Sequence, residues 1–266
     1  MTVSKTFVNR DMAEQAELFE GNQLQIAVYT SPCPGASGQN EDCAGSFFIG
    51  NKSSILVVAD GMGGMPSGDL ASSTIINAFD KSLSTATIKD SYREEILNGI
   101  EHANEKIMAL GSGSTLAAVE INDNVLRSYH VGDTEILVTG QKGKIKHRTV
   151  SHSPTGYGLE AGLLDQQEAL NHEERHLLLN MVGSTEMSVE ISYPLKLARY
   201  DTVVLGSDGL FDNLRVDEIV DIIRKKPLSV VAGTLASLSH ERMASQTTEQ
   251  PSKPDDLTFI LARRLR

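Results

Sequence analysis

Apolar residues along the chain follow two periods, and the switches between them mark out the elements. Leu24 to Tyr29 alternates like a strand, Phe47-Phe48-Ile49 is a short apolar run, and Ile55-Leu56-Val57-Val58-Ala59 is continuous, as a strand buried on both faces requires. Asn51-Lys52-Ser53-Ser54 turns the chain between the last two, which predicts antiparallel pairing. From Leu70 to Leu83 the spacing lengthens, with Leu70, Ala71, Ile75, Ala78 and Phe79 on one helical face. Tyr92 to Leu110 repeats the pattern at Ile96, Ile100, Ala103, Ile107 and Leu110, and Gly111-Ser112-Gly113 stops it. The period then returns to two. Thr115 to Ile121, Val125 to Val131, Glu135 to Thr139 and Lys144 to Val150 read as the strands of a meander. Ser151 to Gly183 is polar, with a short helical piece at Asp165 to Leu170, and is the stretch expected to form a surface flap. Ile191 to Leu197, Thr202 to Leu205 and Leu257 to Ala262 resume the strands. Helices are predicted over Val216 to Arg224 and Leu228 to Ser239, and a polar loop over Glu241 to Pro254. Residues 1–22 read as a polar lead-in in which Asp11 caps a helix through Phe19. Hairpin-joined strands with helices in pairs predict an α+β fold with antiparallel sheets, in a single domain over residues 23–266.

Composition narrows the function classes. Lys and Arg total 24 against 35 Asp and Glu, a formal charge of -11, which opposes binding to nucleic acid or to an anionic membrane. No apolar run approaches the ~20 residues of a membrane span, and the first residues lack a signal-peptide core, so a soluble, cytoplasmic protein is expected. Cys33 and Cys43 are too few for a disulfide framework and lack Cys-x-x-Cys spacing.

The chemistry gathers where apolar runs begin or end. The run from Ile55 closes on Asp60-Gly61-Met62-Gly63-Gly64, and Val203-Val204-Leu205-Gly206-Ser207 closes on Asp208-Gly209. Asp-Gly alone is an ordinary turn dipeptide. Two buried strands that each deliver a carboxylate to a sheet end are a different matter, because two such ends could share a cation. Asn40-Glu41-Asp42, Gly132-Asp133 and Asp255-Asp256 extend the series, and an all-oxygen donor set suits Mg²⁺ or Mn²⁺ rather than Zn²⁺ or copper. Two other patterns fail. Gly61-x-Gly63-x-x-Pro66 has proline at the third glycine of a dinucleotide fingerprint and is followed by a meander, not a parallel crossover. His172-Glu173-Glu174-Arg175-His176 matches the His-Glu-x-x-His zinc signature formally, in the most polar part of the chain and with no third ligand apparent.

Asn40-Glu41-Asp42, Val58-Ala59-Asp60-Gly61-Met62-Gly63-Gly64, Gly113-Ser114-Thr115-Leu116, His130-Val131-Gly132-Asp133, Ser151-His152-Ser153, Ser207-Asp208-Gly209-Leu210-Phe211-Asp212 and Asp255-Asp256-Leu257-Thr258 occur in that order. Together they resemble the metal-dependent serine/threonine protein phosphatases of type 2C, bacterial members in particular, over residues ~23–263. The resemblance implies two stacked antiparallel β-sheets flanked by paired α-helices, an α-β-β-α sandwich with metal ions at one end. It implies that Asp60 bridges two ions, that Gly61 offers its carbonyl, and that Asp208 and Asp255 complete the second ion's shell. Asp42, with Glu41 beside it, would hold metal-bound waters, Asp133 would bind a third, weaker ion, and residues 155–171 would form the flap.

Three departures stand out. Ser37 occupies the position of an arginine that grips the substrate phosphate, so phosphate affinity is expected to suffer. Met62 stands where animal members carry a histidine acid, which leaves protonation of the leaving group to a metal-bound water. Gly132-Asp133-Thr134-Glu135 replaces Gly-Asp-Ser-Arg, and Asp256 replaces a frequent asparagine. The implied chemistry is in-line attack on phosphoserine or phosphothreonine by a hydroxide bridging two Mn²⁺ or Mg²⁺ ions, with no phosphoenzyme. Phosphoprotein substrates, a Ser/Thr kinase pathway and a monomeric state are expected. The alternative is a pseudophosphatase that binds phosphoproteins or a kinase without hydrolysis, supported by Ser37 alone.

Overall fold

The computed structural model describes residues 2–12, 15–36, 38–87, 89, 91–165, 168–169, 172–245 and 250–265. Two antiparallel sheets lie face to face. The first has the order β1 (Thr2–Val8), β4 (Asp42–Ile49), β5 (Ser53–Asp60), β6 (Leu116–Asn122), β7 (Val125–Val131) and β10 (Glu190–Ile191), with β11 (Leu195–Lys196) also on β7. The second runs β2 (Glu17–Gly21), β3 (Leu24–Ser31), β13 (Leu257–Arg264), β12 (Thr202–Gly206), β8 (Glu135–Thr139) and β9 (Ile145–Arg148).

Strand side chains alternate, so each continuous apolar run serves two layers at once. In β5, Ile55 and Val57 face the helices α1 (Gly68–Ser84) and α2 (Arg93–Leu110), while Leu56 and Val58 face the other sheet. In β12, Val203 and Leu205 join the layer between the sheets and Val204 meets the opposite helices. α1 packs Ile75, Ile76 and Phe79 onto the first sheet beside Ile96, Ile100 and Ile107 of α2. Gly111, at φ 64, ends α2 in the left-handed conformation and donates its N–H to Ile107 and Met108 carbonyls. On the far side, α4 (Asp208–Phe211), α5 (Val216–Ile223) and α6 (Leu228–Ser245) cover the second sheet, placing Leu210, Ile219 and Leu235 in one core with Phe259 of β13. The layers are therefore α-β-β-α, an α+β fold as expected.

Four expectations are corrected. The lead-in is not a helix: Thr2–Val8 pairs with β4 and Glu17–Gly21 pairs with β3, one strand at the edge of each sheet. Phe7 and Phe19 stack at 6.4 Å and Lys5 pairs with Glu17 at 2.8 Å, which closes the open side of the sandwich. Ala13 and Glu14, within the proposed helix, lie outside the described residues. The four central strands are not a meander, because the chain leaves the first sheet after β7 and enters the second at β8. The crossing occurs at Gly132, whose φ of 98 is a conformation that favours glycine. The expected strand Ile191 to Leu197 is broken into β10 and β11, with Ser192-Tyr193-Pro194 between them. The helix predicted to end at Ser239 runs on to Ser245.

Candidate metal centre

Antiparallel pairing brings strand starts and strand ends to the same edge. β4 begins at Asp42, β5 ends at Asp60, and the register places these two residues opposite each other. Across the sandwich, Gly206 at the end of β12 lies opposite both Phe259 and Glu135, so Ser207-Asp208, Asp255-Asp256 and Asp133 share that end. The two sheets are joined there by Ser207, a fully buried hydroxyl that donates to Asp42 Oδ2 at 2.8 Å and accepts from the Thr258 N–H at 3.0 Å. Thr115 and Thr134 hydroxyls make a second cross-sheet contact, and the Asp60 carbonyl accepts from the Thr115 N–H at 2.8 Å and the Ser114 hydroxyl at 2.8 Å.

Two glycines permit the convergence. A Cβ on Gly61 would collide with the Gly68 carbonyl at the entry to α1. One on Gly209 would collide with the Asp256 carbonyl, so only glycine lets the Asp208 turn close on the Asp255-Asp256 strand end.

The resulting charge density is high. Burial first, then Asp42, Asp208, Asp255 and Asp133, raise the Asp60 carboxyl well above the usual carboxylate range. Asp42 is raised in the same sense, by burial and then Asp256, and Asp133 by burial and then Asp208 and Asp212. Asp255 is pushed up to about 7 and Asp212 to about 6, both mainly by burial. Lys253 lies among them, with Nζ 3.0 Å from Asp255 Oδ2, 3.5 Å from Asp212 Oδ2 and in contact with Asp208 Oδ2.

Comparison with known proteins places this arrangement. A sequence profile described as Protein phosphatase 2C matches residues 36–250. The chain belongs to the protein phosphatase 2C family. A serine/threonine phosphatase Stp of Listeria welshimeri is 29% identical over 199 residues, which cover 70% of this chain and 78% of that protein. The solved serine/threonine phosphatase of S. agalactiae is 25% identical with a TM-score of 0.77, covering 90% of this chain and 99% of its own. The catalytic domain of the phosphatase PstP, solved with two manganese ions, shares the fold at 22% identity and a TM-score of 0.72, over 90% of this chain and 97% of its own. This phosphatase is thus a protein serine/threonine phosphatase of the 2C type, and the non-hydrolysing alternative is not favoured.

The residues present fit divalent ions. The donors are carboxylate oxygens, and Asp42 Oδ1 and Asp208 Oδ1 are buried without a hydrogen-bond partner, which is costly unless a cation takes the lone pairs. A second cluster, His130, His152 and Glu190, has ligand atoms within 4.8 Å of one another. It does not suit a cation. His152 Nδ1 accepts the Gly132 N–H at 3.1 Å, so its proton sits on Nε2, which faces Glu190 Oε2 at 3.2 Å and has no lone pair to offer. The His172–His176 signature lies on turns, and His172 Nδ1 accepts the Glu174 N–H at 3.1 Å.

The sequence named Asp256 only as a departure from asparagine and gave no sign of what it holds. Asp256 accepts the Glu41 N–H at 2.6 Å and the Cys33 N–H at 2.7 Å, using both oxygens to brace the backbone beside Asp42. An asparagine amide nitrogen could not accept the second N–H, which accounts for the aspartate. Glu41 is half-buried and its carboxyl is raised by burial, Asp256 and Asp69. Ser37, the expected phosphate contact, lies outside the described residues. A cleft opens beside Asp133, Asp208 and Asp212 and is also lined by Thr155, Leu159 and Ala169. Thr155 and Leu159 belong to α3 (Pro154–Glu160), capped by the Ser153 hydroxyl, which accepts the Gly156 N–H at 3.0 Å. Part of the helical piece expected from Asp165 lies outside the described residues; the Asp165 N–H donates to Glu168 Oε2 and the Glu168 N–H to Asp165 Oδ1, both at 2.8 Å.

Proposed function

We propose that this end of the sandwich binds two Mn²⁺ or Mg²⁺ ions and hydrolyses phosphoserine and phosphothreonine in proteins. Asp60, the Gly61 carbonyl, Asp208 and Asp255 would hold the two ions, with Asp208 and Asp255 serving the second of them, and Asp42 and Glu41 would orient water. Asp133 would serve a third, weaker ion. Bound there, the ions would acidify a shared water to give hydroxide for in-line attack and would neutralise the phosphoryl oxygens. The protein's part is to hold the donors rigidly. Ser207 fixes Asp42 across the sheets, Asp256 fixes the Glu41 backbone, and Gly61 and Gly209 allow the two strand ends to approach. Residues 155–171 act as a flap that narrows the cleft around the phosphorylated side chain, within one catalytic domain. The substrates are phosphoproteins, which a Ser/Thr kinase must supply.

The observation that carries this reading is the pair of orphaned buried oxygens, Asp42 Oδ1 at the start of β4 and Asp208 Oδ1 just past the end of β12, at the same carboxylate-lined end. The test is hydrolysis of an aryl phosphate and a phosphothreonine peptide, with and without Mn²⁺ or Mg²⁺, by wild type and Asp208→Ala. Ion-dependent turnover lost in the variant is expected. Ion-independent turnover, or full activity in a folded Asp208→Ala, would overturn the assignment.

A further inference from the structure

We infer that Lys253 is a built-in cation that occupies the Asp208, Asp212 and Asp255 end of the carboxylate cluster and competes with a divalent ion there. The inference rests on the reading of this cluster as a divalent-ion centre. Its ammonium group touches Asp208 Oδ2, lies 3.0 Å from Asp255 Oδ2 and 3.5 Å from Asp212 Oδ2, and so takes oxygens that the same reading gives to an ion. An ammonium is a compact point charge with three donors and can satisfy three carboxylates at once.

The placement is built into the fold rather than left to a swinging side chain. Asn213 is fully buried, and its carboxamide clamps the Lys253 backbone from both sides. Asn213 Oδ1 accepts the Lys253 N–H at 2.8 Å, and Asn213 Nδ2 donates to the Lys253 carbonyl at 2.8 Å and to the Gly209 carbonyl at 3.0 Å. The residue that carries the ammonium is thereby locked to the turn that carries Asp208. Ser252 adds a further tie, its hydroxyl donating to the Arg242 carbonyl on α6 at 2.8 Å. The charged head is sheltered, with the side chain 21% exposed.

Two consequences follow from one geometry. Without divalent ions, the ammonium screens three carboxylates that would otherwise repel one another. With them, an ion at Asp208 and Asp255 must displace the ammonium or share its oxygens against like-charge repulsion, so that position fills later and more weakly than the remainder of the centre. Occupancy, and with it activity, would then track divalent-ion concentration instead of being saturated throughout.

The experiment uses the full chain stripped of metal and titrated with Mn²⁺ by isothermal calorimetry, in parallel with thermal melts of the metal-free protein. Lys253→Met removes the charge and keeps most of the length. The expected result is at least tenfold tighter binding of the weakest ion, or one more ion bound per chain, together with a lower metal-free Tm and a larger rise in Tm on adding Mn²⁺. A Lys253→Met protein that folds only with Mn²⁺ would support the inference equally, because the ion would be replacing the ammonium. If Lys253→Met does not fold in either condition, Lys253→Gln, which keeps a donor and loses the charge, is read by the same two measurements. Wild-type isotherm and wild-type metal-free Tm in a folded variant would overturn the inference while leaving the metal centre standing. Failure of both wild type and variant to bind Mn²⁺ would instead remove the metal centre itself, and this inference with it.

Discussion

Taking the metal-free phosphatase from pH 6.5 to pH 8 should lower its stability, and a saturating divalent ion should abolish the loss. The Asp255 carboxyl is raised from 3.8 to about 7 by burial and then by Asp208, while Asp42, Asp60 and Asp133 are raised well above 3.8, again with burial the largest cause. In the unfolded chain all four have lost their protons by pH 6.5. A carboxyl whose pKa is raised by folding binds its proton more tightly in the fold. Its stabilising contribution is complete below the unfolded pKa and disappears as pH rises through the folded one.

Each proton kept only by the fold contributes about 1.4 kcal/mol per pH unit. Asp255, ionising within the window, loses somewhat under ~1 kcal/mol across it, discounted further because its side chain is 39% exposed. Asp42, Asp60 and Asp133, raised in the same direction, add to that loss, so a fall of about 2 °C or more in Tm is expected for a chain of this size. The window starts at pH 6.5 because histidines oppose the trend below it. His130 is lowered to about 3 by burial and then His152, and His147 and His240 are also lowered by burial, so their contribution is lost as pH falls. The assay is a series of thermal melts in chelator at constant ionic strength, repeated with excess Mg²⁺. A metal-free Tm that is flat or rises across the window would refute the view that this end of the sandwich crowds more carboxylates than it can ionise unaided.

Other perturbations probe the same end. Asp60→Asn should reduce aryl phosphate turnover by about three orders of magnitude or more, while the metal-free Tm rises because a buried repulsion is gone; both are read on one preparation. Ser207→Ala removes the donor to Asp42 and the acceptor for the Thr258 N–H, and should cost about 3 kcal/mol in urea denaturation; a loss within experimental error would show that the cross-sheet link is dispensable. Ser37→Arg restores a bidentate phosphate donor at the position where the family carries one, and should lower KM for a phosphopeptide by about tenfold at little change in kcat. Unchanged KM would mean that phosphate affinity is supplied elsewhere in the cleft.

Much of the site was legible because its chemistry is local in the chain. Apolar runs that close on Asp60-Gly61 and Asp208-Gly209 need no partner to be recognised, and antiparallel pairing of β4 with β5 follows from the short turn between them. The roles of Ser207, Asp256 and Lys253 had no such signal. Each is an ordinary polar residue in sequence, and each matters because of a contact with a residue far along the chain: Ser207 with Asp42, Asp256 with Cys33 and Glu41, Lys253 with Asp208.

The sequence alone determined the central elements, their antiparallel character and the aspartates that end them, because periodicity, turn chemistry and strand termini are properties of neighbouring residues. Tertiary structure decided which sheet each strand joins. Strands of both sheets carry the same nearly continuous apolar pattern, since one face meets helices and the other meets the opposite sheet, so nothing in β7 and β8 announces that the chain crosses between them. The polar edge strands β1 and β2 were hidden for a related reason: a strand with one open face has little apolar patterning, and only pairing with β4 and β3 holds it extended. The position of a lysine among three aspartates was likewise beyond local pattern, because it is set by a buried asparagine forty residues away.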